Sequence, residues 1–156
     1  MLPFSVTQYI QRFEALLPEL RAAANDCGMS FQHVYSSYAA LKGAGLVEFA
    51  FGEILSEYAR QRGNPELARY VKSAVGWENS LNCEKIEKLL NRFDAAWWPA
   101  IFARTSPAQR SAVDSLKTLR DQYAHGTYNG TGYLVVEGYY FSAKQLVNEV
   151  ASELVP

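Results

Sequence analysis

Cysteine is scarce in this chain: Cys27 and Cys83 are the only two among 156 residues, and they do not form a C-x-x-C pair. That excludes a disulfide framework of the secreted kind and predicts two buried free thiols in a reducing compartment. An excess of one charge is also lacking. Fifteen Lys and Arg against sixteen Asp and Glu give a formal charge of -1, so no global positive field can hold a polyanion, and any nucleic-acid site must be local. No apolar run approaches bilayer length, and MLPFSVTQYIQRFEALL has no basic stretch ahead of an apolar one. A soluble, cytoplasmic protein is therefore expected. Walker loops, dinucleotide fingerprints, G-x-S-x-G elbows and H-E-x-x-H are absent, as are internal repeats and linker-like tracts.

What the chain does have is apolar and aromatic residues, at 49% and 13%, enough for one domain with its own core and no structural metal. The patterning is helical almost throughout. Ser5-Val6-Thr7-Gln8 fits a capping box opening a helix to about Ala24, kinked at Pro18. A long helix follows over 30–62, stopped by Gly63-Asn64-Pro65, and Asn64 and Pro65 are natural starts for a third helix reaching Val75. A loop is expected from Gly76 to Ser80. NCEKIEKLLNRFDAAWW puts Ile86, Leu89, Leu90 and Phe93 on one face of an amphipathic helix, which Pro99 interrupts. Ser106-Pro107-Ala108-Gln109 joins a capping box to a proline at the first helical position. Beyond the turn formers of 126–132, YLVVEGYYF reads as two short strands around Glu137-Gly138, or an extended segment, and Ser142 caps a last helix to Leu154. The expected fold is all-α: an antiparallel bundle of about five helices in a single domain, with room for one short C-terminal hairpin.

LRDQYAHGTY, residues 119–128, holds one of only two histidines. On a helical wheel Ala112, Val113, Leu119 and Tyr123 gather around Leu116, and Arg120, four residues on, falls at the edge of that stripe. A partly buried guanidinium requires an anion. His125 precedes Gly126, a residue type that often follows a helix end, so the histidine is expected at the terminus. In the long second helix Glu48 is a lone carboxylate among Leu46, Val47, Phe49 and Ala50, in line with Gly45 and Gly52. Such a carboxylate needs a partner. Arg120 is the favoured one over Arg60 and Arg92, with Gly45 and Gly52 allowing the two helices to approach closely.

Arg-Asp-Gln-Tyr-Ala-His-Gly resembles the R-x4-H motif of HEPN domains, small all-α domains. The flanks, Leu46-Val47-Glu48 and NCEKIEKLLNRF, are similar to corresponding helices of the ribosomal-leader-associated and restriction-associated branches. The resemblance extends over most of 30–126. It implies a metal-independent endoribonuclease, often a toxin or phage-defence effector, working as a homodimer on RNA and held in check by an antitoxin or other neighbouring-gene protein. It casts His125 as general acid or base and Arg120 as phosphate stabiliser, supported by Glu48, Asp121, Lys117 and Tyr128. Members with R-x4-H-x-Y are adenylylated on that tyrosine; here Tyr128 stands one residue further on. The same resemblance admits a noncatalytic module that dimerises or binds a partner or nucleotide.

The residue types suit the chemistry. Imidazole relays protons near neutrality, and arginine is a permanent bidentate phosphate ligand. Arg104, Arg110, Lys117 and Arg120 against Asp114 make a modest local excess of positive charge. Without catalysis, Arg120 would be a structural partner of Glu48, and His125 would complement a helix C-terminus. Cys27, His33, Cys83 and His125 match no zinc spacing, so neither metal nor cofactor is expected. Trp97-Trp98 and Tyr139-Tyr140-Phe141 are expected in the core or a dimer interface before any base-stacking role.

Overall fold

The computed structural model describes residues 1–76, 80–128 and 130–155, without the side chains of Met29 and Ser30. Among the described residues every regular element is a helix: α1 (Phe4–Glu14), α2 (Leu17–Asp26), α3 (Met29–Gln61), α4 (Pro65–Val75), α5 (Cys83–Asn91), α6 (Trp97–Arg104), α7 (Pro107–Ala124) and α8 (Tyr133–Leu154). The chain is an all-α bundle, with eight helices where about five were expected. The loop expected over 76–80 lies, at 77–79, outside the described residues, as does position 129 of the turn-rich run before α8.

The extra helices come from breaks. Pro18 lacks an N–H and its ring would strike the carbonyl of Glu14, so α1 ends there and α2 restarts with the proline in its first turn. The capping box at Ser5 does not form. Pro3 occupies the cap position, its carbonyl accepts from the Val6 and Thr7 amides, and Ser5 Oγ donates to Glu53 of α3 at 2.7 Å. Downstream, the break falls before Pro99 and not at it. Asp94 Oδ1 accepts from the Ala96 amide at 2.8 Å, and Pro99 sits in the first turn of α6, where its missing donor would be unbonded anyway. Phe93, expected on the apolar face of an amphipathic helix, lies past the end of α5 and is half exposed, stacked on Trp97. The expected Asn64 cap and Ser106–Gln109 capping box form, and Asn82 caps α5 as well.

The C-terminal hairpin is replaced by helix. Tyr133, Val136, Glu137, Tyr140, Ala143, Leu146, Val147, Val150 and Leu154 are buried at three- and four-residue spacing, and Leu134, Val135 and Gly138 face outward. Burial of that stripe overrides the strand preference of Tyr, Val and Phe, and tolerates Gly138 at a cost of about 1 kcal/mol. Glu137, read as a turn residue, is instead buried, accepting from Arg21 of α2 at 2.8 Å and from the Tyr133 hydroxyl at 3.2 Å.

α3 is the central helix, packed against α8, α7, α4 and α1. α7 and α8 run in opposite directions: Gln109 at the start of α7 bonds Gln145 of α8, and Thr118 and Thr131 share a cleft near the turn between them. Trp97, Trp98 and Tyr140 are buried in the core as expected. Both cysteines are free and half-buried. No helix of the described residues is long and apolar enough to cross a membrane.

Candidate functional site at the α3–α7 seam

The apolar stripe of α7 consists of Ala112, Val113, Leu116 and Leu119, all buried against α3 and α8. This rotation leaves Arg120 at the edge of the packed face, its side chain about a quarter exposed at 23%, opposite Glu48 at 27%. Arg120 Nη2 donates to Glu48 Oε1 at 2.6 Å, the pairing read from the sequence. The close approach depends on a different glycine from those expected. A Cβ on Gly43 would lie 2.8 Å from Leu116 Cδ2; Gly45 instead faces the Tyr9 hydroxyl, and Gly52 faces open space.

A third member of the pair was not legible. Ser80 accepts from Arg120 Nη2 at 2.6 Å through its hydroxyl, donates its amide to Glu48 Oε1 at 2.6 Å, and donates its Oγ–H to Asp121 Oδ1 at 3.2 Å. Its φ of 58° is left-handed, which costs a non-glycine residue of order 1 kcal/mol and is offset by these bonds. In sequence Ser80 is only a small polar loop residue, and nothing in its spacing marks it. Asp121 also takes Lys117 Nζ at 2.7 Å and lies 3.5 Å from Arg120 Nε. Lys117 above all, then Ser80 and Arg120, hold the Asp121 carboxyl below its ordinary 3.8 against the opposing effect of burial.

Arg120, Glu48, Asp121 and Lys117 therefore form one network with two cations and two carboxylates, and its charges balance. Nη1 of Arg120 has no partner among the described residues, which leaves part of the guanidinium fork open. The rest of the expected basic run is committed elsewhere. Arg104 pairs with Glu149 and Glu153 of α8, while Arg110 lies over the Phe102 ring and donates to Thr105 O.

His125 caps the C-terminus of α7 in a Schellman arrangement. The Thr127 amide reaches the Gln122 carbonyl at 2.8 Å, and that of Gly126 reaches Tyr123 at 3.1 Å, with Gly126 at φ 72°, a conformation glycine adopts without strain. The imidazole is exposed and has no side-chain partner among the described residues. Tyr128 does not join the arginine network. Its ring lies 5.3 Å from that of His33 near the start of α3. Between these groups Tyr123 is pushed above the ordinary tyrosine range by burial, with Tyr128 adding; Ser36 is near enough to oppose the shift, yet neither buried hydroxyl completes a hydrogen bond.

The four candidate zinc ligands are not gathered: no group of three or more His, Cys, Asp or Glu among the described residues is placed to hold a metal. Cys83 donates to the Arg110 carbonyl, and burial, with Asp114 adding, pushes its thiol up to about 12.

No family model matches the chain, and no curated protein or solved structure is similar enough to it to count as a match.

Proposed function

We propose that this chain is a metal-independent endoribonuclease of the HEPN type, a cytoplasmic toxin or phage-defence effector that acts on RNA as a homodimer. The observation that carries the reading is the end of α7. An exposed, unengaged imidazole, His125, lies little more than one helical turn beyond an arginine with Nη1 open and Nη2 anchored. Metal-independent cleavage of RNA needs proton transfer at both oxygens and a cation at the phosphate, which these two groups can supply. The 2′-hydroxyl attacks the adjacent phosphorus while a neutral His125 takes its proton. The bond to the 5′-oxygen breaks, and a protonated His125 from the second copy supplies the proton to that leaving oxygen. The products are a 2′,3′-cyclic phosphate and a 5′-hydroxyl. Arg120 Nη1 stabilises charge on the phosphoryl oxygens, with Glu48 and Ser80 fixing the plane of the guanidinium, and Asp121 and Lys117 buttressing that anchor.

The dimer supplies the second histidine. Phe31 and Val34 stay exposed on the first turns of α3, on either side of His33, whose ring meets Tyr128. A two-fold contact through this end of α3 would bring the two His125 loops toward each other.

A second reading, a noncatalytic module of the same type that dimerises or holds a partner, is favoured by one feature: the charges around Arg120 already balance. The two separate in one assay. The ribonuclease reading expects the purified dimer to cut single-stranded RNA in excess EDTA and Arg120→Ala to lose that cutting. A well-folded, dimeric wild type that leaves all RNA intact favours the module.

A further inference from the structure

On the other side of α3, away from His125, α1 and α3 enclose a cleft of about 320 Å3, within the size range of small-molecule sites. Its walls include Gln8, Tyr9, Arg12, Tyr38, Lys42 and Phe49. Phe49 is an exposed aromatic at 37%, stacked at 5.6 Å on Tyr9, so the cleft offers a flat apolar surface to solvent. Lys42 Nζ sits 5.8 Å from the Tyr9 ring centre and 5.5 Å from that of Tyr38, held over both by cation–π attraction, while the Tyr9 hydroxyl bonds the Lys42 carbonyl at 3.0 Å.

Neither Arg12 nor Lys42 has a carboxylate partner among the described residues, although carboxylates are close by. Three of those on the flanking helices are committed elsewhere. Glu53 takes Ser5 Oγ and Lys72, Glu14 takes Lys144 and the Tyr140 hydroxyl, and Glu48 takes Arg120 and Ser80. In a chain of net charge -1, this leaves two uncompensated cations in one aromatic-walled recess. Gln8 adds an amide with no side-chain partner among the described residues, able to donate and accept.

We propose that this cleft binds a small organic phosphate, a planar ring joined to a phosphate dianion. Two positive charges match a dianion better than a carboxylate. Arginine offers the fork for phosphate oxygens, and the tyrosine and phenylalanine rings offer the surface for a flat body. Because the rings position Lys42 before any ligand arrives, less side-chain freedom is lost on binding. None of Glu48, Ser80, Arg120 or His125 lines the cleft, and the proposal does not depend on the ribonuclease reading.

Titration calorimetry on the full chain tests it, with phenyl phosphate, adenosine monophosphate, phenol and inorganic phosphate as probes. At least one ring-bearing phosphate binds the wild type about tenfold or more tighter than phenol or inorganic phosphate, and Arg12→Gln and Lys42→Gln each lower that affinity about tenfold. Tighter binding of adenosine monophosphate identifies a nucleotide as the source, and tighter binding of phenyl phosphate a simple aryl ester. Both substitutions lie outside the core, so the variants fold. Absence of saturable binding up to about 10 mM, or an affinity unchanged in the Arg12→Gln/Lys42→Gln double variant, overturns the proposal.

Discussion

Arg120 of α7 and Glu48 of α3, 72 residues apart in sequence, meet at 2.6 Å, and Ser80 bonds both. This relationship fixes the guanidinium on α7, five residues before the exposed His125 at that helix's end, and ties the segment before α5 to the seam between α3 and α7.

Removing one partner should expose how the cluster is held. Glu48→Ala leaves Arg120 with Ser80 and Asp121 only. Since both side chains are about a quarter exposed, the loss should be about 1–2 kcal/mol, below the value for a fully buried pair. Chemical denaturation of Glu48→Ala, Arg120→Ala and the double variant measures it, with the double variant losing less than the sum of the singles.

Ser80 gives a sharper contrast. Ser80→Ala loses its hydroxyl bonds but keeps the left-handed φ of 58°, and should cost about 1 kcal/mol. Ser80→Gly loses the same bonds yet relieves the backbone, so its cost should be clearly smaller. Equal losses in thermal denaturation would contradict this account of the turn.

The glycines of α3 should respond with opposite signs. At Gly43 a new Cβ meets the buried Leu116 at 2.8 Å, so Gly43→Ala should destabilise by about 1–3 kcal/mol despite its gain in helix propensity. At Gly52 nothing lies within 4 Å, and Gly52→Ala should stabilise by about 0.5–1 kcal/mol. Urea midpoints of the two variants on either side of wild type would bear this out.

Alkaline pH should loosen the fold. Burial pushes Cys83 from 9.0 and Tyr9 from 10.0 up to about 12, with Asp114 adding at the thiol and Tyr38 and Glu48 at the phenol. The folded chain therefore holds these protons more tightly than the unfolded chain. Their contribution is fully present below pH 9.0 and is lost as pH rises toward about 12. Asp121 acts in the opposite direction, since its carboxyl is lowered: its contribution is present above pH 3.8 and is lost as pH falls through the folded value. Denaturant midpoints across pH check both slopes, and Cys83→Ala should flatten the alkaline one.

Much of this fold was legible where local chemistry and periodicity agree. Asn64 and Ser106 cap the helices they were expected to cap, and the stripe around Leu116 is buried as its spacing requires. The Arg120–Glu48 pair followed from two charges that could not remain alone in apolar surroundings. What was not legible depends on tertiary context. The Tyr133–Phe141 segment has strand-like composition, and burial against distant helices, α3 and α7 above all, makes it helical. Ser5 carries a capping signature, but Glu53 in another helix takes its hydroxyl. Ser80 has no sequence signal because its role depends on a backbone angle and on three residues remote in the chain.

The most direct test of the central claim compares wild type with His125→Ala on single-stranded and structured RNA in excess EDTA, after matching their helical signal and dimeric mass. Cleavage by the wild type alone, leaving 2′,3′-cyclic phosphate and 5′-hydroxyl ends, is the result expected. Equal cleavage by both proteins, or none by a folded, dimeric wild type, would contradict the assignment of His125 as the proton-transfer group.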